Sequence, residues 1–363
     1  MTQIKSSTHD NVTAQTFDTA RMFEKYQEGM RILLEGAHIQ TGLTPKEVIW
    51  TKNKAQLYHY IPAREKRFPV PILCVYALIN RCYILDLMPS YSLVEYLVSQ
   101  GFDVYLLDWG TPGEEDQKLT FDHYIFDYLA RAVKKMLRHA NAEQCSILGY
   151  CMGGTMSAMY ASLFPNSALR NLILLTTPTD FAPEYTGIYG AWTSEKHFNE
   201  DLLVDSFGNI PGELINAGNQ MVKPITNYLG AYVTMWNRLF HDRPMNTWLA
   251  MNKWVNDGVP FPGEAFRQWI HDFYQQNKLV KGEISLRGRH VDLSRISCSV
   301  LNIAGKRDHI CTPPQAEATM RLIGSQDKEF FTLDAGHVGL LISADTKKYL
   351  WPKISTWLQS RSS

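Results

Sequence analysis

Short apolar runs alternate with longer amphipathic segments along most of the chain from Gln56 onward. The apolar runs have the length of buried strands, and the amphipathic segments have the periodicity of helices that cover a sheet. Strands are predicted at residues 71–76, 103–107, 145–148, 169–175, 300–304 and 329–333. Helices are predicted at residues 92–100, 121–139, 153–164, 314–323 and 346–359. This alternation predicts an α/β fold with a mostly parallel sheet and helical crossovers.

The alternation is interrupted between residues 177 and 288, where Trp, Tyr, Phe, Asn, Gly and Pro are frequent and strand candidates are few. This pattern predicts a cap, or lid, inserted into a core made of residues 51–176 and 289–363. Residues 1–50 are polar apart from a helix-like stretch at 26–34, and the first strand candidate lies near Gln56. We interpret residues 1–50 as an N-terminal arm or docking segment.

The composition of the chain argues against several classes of protein. The 363 residues are 45% hydrophobic, which is enough to fill a large core. Lys plus Arg and Asp plus Glu both total 36, so no net charge favours nucleic acid or an anionic membrane surface. The longest apolar run, residues 70–79, is far shorter than the roughly 20 residues that span a bilayer. Because the N-terminus also lacks a signal-peptide pattern, we expect a cytoplasmic protein without a transmembrane segment.

The cysteines are scattered and form no Cys-x-x-Cys pair. Several of them lie inside apolar runs that are predicted strands. This distribution indicates reduced thiols in the cytosol and argues against a disulfide framework or a zinc site. The six are Cys74, Cys82, Cys145, Cys151, Cys298 and Cys311.

The strongest chemical signal is SILGYCMGGTMSAMYASLFP at residues 146–165, in which a predicted strand leads through Gly-Tyr-Cys-Met-Gly-Gly into a predicted helix. This is the nucleophile-elbow pattern with Cys151 as the nucleophile. Small residues at Gly149, Gly153 and Gly154 allow the strand and the helix to approach closely. The helix N-terminus favours a thiolate, and the Met152 N–H can hold an oxyanion. The alternative is a glycine-flanked cysteine that only fills an ordinary turn.

The order of the acid and the base agrees with the elbow. Asp308 closely follows the predicted strand at 300–304, and His337 follows the strand at 329–333, as the nucleophile–acid–histidine order requires. Both lie beyond strand carboxyl ends, where such sheets place their sites. Asp334 is the rival candidate for the acid. His309 is expected to have a structural or supporting role, because adjacent residues point in different directions, and direct participation in catalysis is the alternative.

Two further segments follow strand ends in the first half of the sheet. The segment 76–80 follows the strand at 71–76, and the Ile79 N–H is the candidate for the second oxyanion donor, within a residue or two. An ordinary loop is the alternative. The Asp-Trp-Gly turn at 108–110 fits a structural turn and a site element equally well.

The assembled motifs resemble the polyhydroxyalkanoate synthases, specifically the short catalytic subunits of the two-component classes. The resemblance covers the chain from about Leu43 to its end. It implies the α/β-hydrolase fold, with Cys151 as the acyl-carrying nucleophile, His337 as its general base and Asp308 as the third member. The matching segments are GYCMGG at 149–154, YALINRCYILDLMPSYSLVEYL at 76–97, GFDVYLLDWGTPG at 101–113, NIAGKRDHI at 302–310 and AGHVG at 335–339.

The same resemblance implies an acyltransferase that polymerises (R)-3-hydroxyacyl-CoA, with 3-hydroxybutyryl-CoA as the expected donor. It implies no cofactor, and it places the enzyme at the surface of cytoplasmic polyester granules with a tendency to self-associate. The stretch GLTPKEVIWTKNKAQLYHYIP at 42–62 is most similar to the class IV enzymes. Their partner is a small R-type subunit, whereas the class III alternative uses a larger E-type subunit.

Two other functions share these residues. A thioesterase or other hydrolase of the same fold would use the same cysteine, and a catalytically silent fold could serve as a binding module. The aromatic-rich cap favours a covered apolar tunnel over an open hydrolase cleft. Because the chain has no phosphate-binding glycine loop, the CoA phosphates are expected to meet surface cations. The candidates are Lys306, Arg307, Arg64, Lys66 and Arg67.

Overall fold

The computed structural model describes residues 19–35, 39–62, 68–165, 168–223, 229–241 and 244–362. Every strand that the alternation predicts is present, with bounds that differ by at most two residues. The strands are β1 (Lys46–Lys52), β2 (Ala55–Tyr60), β3 (Ile72–Val75), β4 (Asp86–Met88), β5 (Tyr91–Ser92), β6 (Val104–Asp108), β7 (Cys145–Tyr150), β8 (Leu169–Leu175), β9 (Ser285–Leu286), β10 (Arg289–His290), β11 (Ser299–Gly305) and β12 (Lys328–Leu333).

One large sheet organises the molecule. Within the described residues it contains eight strands in the order β1-β2-β6-β3-β7-β8-β11-β12. The pairs β1/β2 and β2/β6 are antiparallel, and the pairs from β6 to β12 are parallel. All six residues of β7 are buried, because helices cover both faces of the central strands. The carboxyl ends of β3, β7, β8, β11 and β12 therefore share one edge.

The prediction that the first strand lies near Gln56 is wrong, because another strand comes before it in the chain. β1 precedes it and pairs antiparallel with β2 at the edge of the sheet. Its sequence, KEVIWTK, has three charged residues, and none of its residues is fully buried. An edge strand that faces solvent needs no apolar run, so the hydrophobic pattern did not reveal it.

The helices cover both faces of the sheet and fill the interval between β8 and β11. π-helical turns extend three of them, at His123–Leu129, Trp269–Gln275 and Thr346–Leu350. The helices are α1 (Thr19–Glu35), α2 (Leu93–Ser99), α3 (Ala130–Ala140), α4 (Met152–Leu163), α5 (Pro183–Thr193), α6 (Glu200–Phe207), α7 (Gly212–Met221), α8 (Gly230–Phe240), α9 (Asn246–Asn256), α10 (Gly263–Gln268), α11 (Lys278–Lys281), α12 (Pro313–Leu322), α13 (Gly339–Ile342) and α14 (Trp351–Gln359).

Local sequence explains where several helices begin. The Ser92 hydroxyl accepts a hydrogen bond from the Glu95 N–H and so caps α2. Thr312 and Gln315 form a capping box at α12, directly after the loop that carries Asp308. Every residue of α4 is buried, which agrees with its apolar and small side chains. These caps fix the ends of the helices that flank the sheet's carboxyl edge.

The interval between β8 and β11 is mainly helical in the described residues, from α5 to α11. An aromatic cluster joins it to the sheet domain. The Phe121 ring lies 5.4 Å from the Phe273 ring, and the Phe181 ring lies 5.3 Å from the Trp269 ring. The three phenylalanines are at most 2% exposed, and each fully buried phenylalanine stabilises the fold by about 1.5–3 kcal/mol.

The N-terminal helix α1 contains the helix-like stretch predicted at 26–34 and packs on α8 of the inserted segment. The Tyr26 and Trp236 rings stack with their centroids 5.7 Å apart. A side chain at Gly29 would overlap the Trp236 ring. Lys25 Nζ donates to the Phe240 carbonyl at 2.9 Å. None of the described helices has the length and apolarity to cross a bilayer.

Candidate active site

Cys151 occupies the turn between β7 and α4, as the elbow pattern predicts. Its backbone has φ 55° and ψ −129°, a conformation that costs a non-glycine residue about 1–3 kcal/mol. The Cys151 N–H donates to the Leu175 carbonyl at 2.9 Å, and the Cys151 carbonyl accepts from the Gly154 N–H at 2.8 Å. These bonds hold the strained turn and fix the thiol at the sheet's carboxyl edge.

Close packing explains the glycines of the turn. A side chain at Gly149 would overlap the Gly154 backbone, and one at Gly153 would overlap the Val75 carbonyl. Gly154 faces Thr177 with equally little room. The helix can therefore approach β7 and β3 only because these three residues lack a side chain.

The predicted oxyanion donors flank this turn. Met152 is the first residue of α4, so its N–H belongs to the helix end that carries the positive dipole. Ile79 lies in the turn that follows β3, and the backbone of Val75 and Tyr76 in that strand end packs against Gly153. The structure thus brings both segments beside Cys151, and their role as oxyanion donors stays a prediction.

Asp308 and His337 meet at the same edge. The Nδ1–H of His337 donates to Asp308 Oδ2 at 2.8 Å. The other carboxylate oxygen accepts from the backbone N–H groups of Ile310 at 2.9 Å and Cys311 at 3.0 Å. Asp308 is 5% exposed and His337 is 7% exposed. The buried carboxylate thereby fixes the tautomer and the orientation of the imidazole.

Thr176 was not predicted, although it directly follows β8 at the shared edge. Its hydroxyl donates to Asp308 Oδ2 and lies 3.3 Å from His337 Nδ1. Its φ of 48° is unusual for a β-branched residue, and its N–H donates to the Ile303 carbonyl at 2.7 Å. The sequence signal that could have identified Thr176 is its position directly after β8. This strand lies next to β11, and β11 leads to Asp308.

Electrostatics favours a charged pair. Burial acts to lower the pKa of His337, but the charges of Asp308 and Cys151 and hydrogen bonds to both raise that pKa to about 10. Burial acts to raise the pKa of Asp308, but His337, Thr176 and the Cys311 N–H lower it below its usual value. The raised pKa of His337 and the lowered pKa of Asp308 both favour an imidazolium that faces the Asp308 carboxylate.

The two candidate acids are separated in space. Asp334 is a surface residue whose carboxylate pairs with Arg307 Nε at 2.7 Å, so it does not orient His337. His309 is partly buried, and its Nδ1 finds no hydrogen-bond partner among the described residues. Burial, and then the positive charge of Lys223, lower the pKa of His309. The supporting role of His309 beside the acid stays a prediction.

The Asp-Trp-Gly turn after β6 makes structural contacts. Asp108 accepts a hydrogen bond from the Tyr76 hydroxyl at 2.8 Å and from the Gly110 N–H at 3.1 Å. The Trp109 Nε1–H donates to the Tyr76 carbonyl at 3.0 Å. These bonds hold the end of β6 against the segment after β3, which favours the structural interpretation of the turn.

One tyrosine contacts the His337 ring, and the segment between β8 and β11 supplies two more partly buried tyrosines. The Tyr150 ring lies 5.4 Å from the His337 ring. Tyr189 of α5 and Tyr274 come from the inserted segment, and their rings are 6.3 Å apart. Burial raises the pKa of both phenols, and the nearby charge of Cys151 raises it further. The segment between β8 and β11 therefore places two phenols within electrostatic range of Cys151.

The other cysteines and the candidate cations differ in their surroundings. All six cysteines are free. Cys311 is buried next to the acid, and burial, with the charges of Asp308 and Cys151, raises its pKa well above the usual value. Lys306 is exposed, whereas Arg307 pairs with Asp334. Arg64, Lys66 and Arg67 lie outside the described residues.

Two family models match the chain. Residues 70–344 match the model described as alpha/beta hydrolase fold. Residues 34–97 match the model described as Poly-beta-hydroxybutyrate polymerase (PhaC) N-terminus. The first match covers most of the chain and confirms the predicted fold.

The chain is also similar to individual proteins over most of its length. The poly(3-hydroxyalkanoate) polymerase subunit PhaC of Allochromatium vinosum is 38% identical over 355 residues, which are 97% of this chain and 98% of that protein. The subunit of the same name from Haloferax mediterranei is 39% identical over 90% of this chain and 66% of its own length. Among solved structures, non-heme bromoperoxidase BpoC from Mycobacterium tuberculosis matches with a TM-score of 0.53 at 11% identity, over 90% of this chain and 100% of that one. At that identity the likeness shows the fold alone.

Proposed function

Because the chain belongs to the polyhydroxyalkanoate synthase family, we propose that it polymerises (R)-3-hydroxyacyl-CoA thioesters into polyester and releases CoA. The observation that carries the proposal is the convergence of Cys151, His337 and Asp308 at one sheet edge in a chain that matches a polymerase subunit over nearly its whole length. The expected donor is 3-hydroxybutyryl-CoA, and the reaction needs no cofactor.

The first step loads the enzyme. The Cys151 thiolate attacks the acyl carbonyl of the CoA thioester, and the Met152 and Ile79 N–H groups stabilise the resulting oxyanion. The C–S bond to CoA then breaks, and the His337 imidazolium gives its proton to the departing CoA thiolate. Loading thus consumes the proton that His337 holds in the resting enzyme and leaves a neutral imidazole beside an acyl-Cys151 thioester.

The second step extends the chain. The neutral His337 takes the proton of a 3-hydroxyl group while that oxygen attacks the thioester carbonyl. The new bond is an oxygen ester, and the thiolate and the imidazolium are restored. Asp308 orients the imidazole in both steps, and Thr176 supports the carboxylate. Acylation of Cys151 removes a neighbour that helps to raise the pKa of His337, which prepares the imidazole to act as the base.

A cysteine nucleophile suits this chemistry better than a serine. An acyl-cysteine has nearly the same free energy as the acyl-CoA that loads it, so loading is almost thermoneutral. Transfer from that thioester to a hydroxyl makes an oxygen ester and runs downhill. The growing chain therefore stays activated between additions, whereas a serine ester would not drive the next ester bond.

Residues 177–288 act as a lid in this proposal. Tyr189 and Tyr274 bring the inserted segment close to Cys151, which supports a covered tunnel for the apolar chain. Substrate enters when the lid opens. Opening exposes apolar surface to water, so a surface that covers it, such as the polymer granule in the cytoplasm, favours the open form.

A second subunit completes the enzyme, and we assign this role to the small R-type subunit. Support comes from the exposed apolar side chains that α1 and α8 carry, because exposed apolar surface is typical of sites of association. The larger E-type subunit is the alternative occupant, and self-association of the chain accompanies either assembly. These exposed residues are Met22, Phe23, Tyr26, Leu33, Leu34, Tyr232, Val233 and Phe240.

The test uses purified chain, R-type subunit and 3-hydroxybutyryl-CoA. Polymer synthesis gives turbidity together with free CoA, whereas a thioesterase gives free CoA and soluble hydroxy acid. A binding module gives neither product. Cys151→Ala serves as the matched control, because it removes one sulfur from an intact fold. CoA release without polymer would overturn the proposal in favour of hydrolysis.

A further inference from the structure

Two histidines and a glutamate converge at the edge of the sheet opposite Cys151. Glu47 lies on β1, His59 lies on β2, and His139 lies in the last turn of α3. Glu47 Oε1 is 3.0 Å from His59 Nδ1 and 3.9 Å from His139 Nε2. Among the described residues, these three offer donor atoms that all lie within 4.8 Å of one another.

In each histidine ring, the nitrogen that faces away from Glu47 has its own polar partner. His59 Nε2 lies 2.9 Å from Asp103 Oδ1, and His139 Nδ1 lies 2.9 Å from the Tyr105 hydroxyl. The Tyr105 hydroxyl also donates a hydrogen bond to Asp103 Oδ2 at 3.2 Å. The buried Asp103 carboxylate therefore supports the His59 ring directly and the His139 ring through Tyr105. Metal-binding histidines characteristically have such a partner on the outer nitrogen, because it sets the tautomer and aims the inner nitrogen at the ion.

We propose that Glu47, His59 and His139 bind a divalent transition-metal ion of the zinc class. Two imidazole nitrogens and one carboxylate oxygen are a ligand set that zinc prefers, and a water can take the fourth position. Zinc lies about 2.0–2.2 Å from such donors. The three donor atoms must therefore move closer to one another when the ion binds. Glu47 and His139 are exposed and can make this adjustment, whereas His59 is buried and fixed by Asp103.

Position indicates a structural role for the ion. β1 is the edge strand, and β1 and β2 form a hairpin against which α3 packs. An ion on these ligands ties the hairpin to α3. His139 lies in the last turn of α3, where the helix dipole favours a cation. Asp103 precedes β6 at the amino ends of the parallel strands, whereas Cys151 follows the carboxyl end of β7, so the ion takes no part in acyl transfer.

The experiment measures metal binding directly. The full chain is treated with EDTA, dialysed and titrated with Zn²⁺ by calorimetry, and with Co²⁺ by visible absorption. We expect one ion per chain and a rise in melting temperature with Zn²⁺. His139→Gln should weaken Zn²⁺ binding by about tenfold or more and abolish the thermal shift, and Asp103→Asn should weaken it by about 10–100-fold. The matched control is His290→Gln, which removes another exposed histidine.

Each outcome decides the proposal. Circular dichroism in EDTA verifies that every variant is folded, and His139→Gln is the safest variant because its side chain is on the surface. Stoichiometric binding that His139→Gln loses and His290→Gln keeps supports the site. The absence of one-to-one binding to the wild-type chain, or equal binding by His139→Gln, would mean that the cluster is only a network of hydrogen bonds and ion pairs.

Discussion

The Thr176 hydroxyl donates a hydrogen bond to the same Asp308 oxygen that accepts from His337. A hydrogen bond to a charged group contributes about 1.5–3 kcal/mol. Thr176→Val keeps the β-branched shape at this strained position and removes only the donor. We expect CoA release to fall about 10–100-fold, and the free energy of unfolding to fall by about 1.5–3 kcal/mol, because the buried carboxylate loses a donor.

Thr177→Val is the matched control for that change. Thr177 is the next residue and is equally buried, but its hydroxyl has no hydrogen-bond partner among the described residues. It should retain activity close to wild type. Equal losses in the two variants would indicate a packing effect and would remove Thr176 from the support of Asp308.

Cys151 is the cysteine that we expect to carry the acyl group. Cys151→Ala should abolish radiolabelled acyl-enzyme after incubation with labelled substrate. Cys311→Ala is the strictest control, because Cys311 is buried beside Asp308 yet does not lie on an elbow. Cys74→Ala, Cys145→Ala and Cys298→Ala should lose stability and keep labelling. Undiminished labelling of Cys151→Ala would refute the assignment.

The acid and the base should have separable effects. His337→Gln should lose loading, and Asp308→Asn should retain some loading but slow elongation, with losses of about 10²–10⁴-fold. Asp334→Asn tests the rival acid. Because Asp334 is exposed and pairs with Arg307, this variant should keep nearly full activity. Single-turnover CoA release measures loading and polymer yield measures elongation; greater damage from Asp334→Asn would contradict the choice of Asp308.

The His337 imidazolium should titrate near pH 10, and its neighbours should control that value. Asp308→Asn should lower the pKa of His337 more than Cys151→Ala, because Asp308 makes the larger favourable contribution. Nitrogen-15 NMR of the imidazole measures both shifts. The stability that this raised pKa provides is fully present below about pH 6.5 and is lost as the pH rises through about 10. A wild-type value near 6.5 would exclude a charged resting pair.

The R-type subunit should stimulate the chain through α1. Phe23→Asp together with Leu34→Asp places charges on two exposed side chains of that helix and should reduce both binding and stimulated CoA release. Tyr349→Ser, an exposed aromatic residue on a different part of the surface, is the control. Full activity of the chain alone, unchanged by the R-type or the E-type subunit, would contradict the need for a partner.

Local sequence determined most of the fold and the centre of the site. β3, residues 147–148 of β7 and residues 172–175 of β8 are apolar runs, because both faces of these strands are covered. They could therefore be recognised without any tertiary information. The elbow at Cys151 has a fixed local spacing. The order of Asp308 and His337 followed from the strands that precede them, although only coordinates show which aspartate reaches the imidazole.

The sequence did not reveal Thr176 or the cluster around Glu47, because both depend on contacts between segments that are distant in the chain. Thr176 is one of many threonines until β8 is placed next to β11, and its contact with Asp308 joins residues that are 132 positions apart. Glu47 and His139 lie on different elements and approach only because β1 pairs at the sheet edge beside α3. Spacing rules for metal motifs describe ligands that are near in sequence, so they could not identify this group.

The stacking of Tyr26 on Trp236 gives the N-terminal helix a mechanical role. α1 packs on α8, which belongs to the proposed lid. When the lid swings away from the thiol, α1 must either travel with it or give up the ring contact and the Lys25 bond to Phe240. We therefore expect a subunit that binds α1 to influence opening of the proposed lid, and so to regulate polymer growth without contacting a reacting atom.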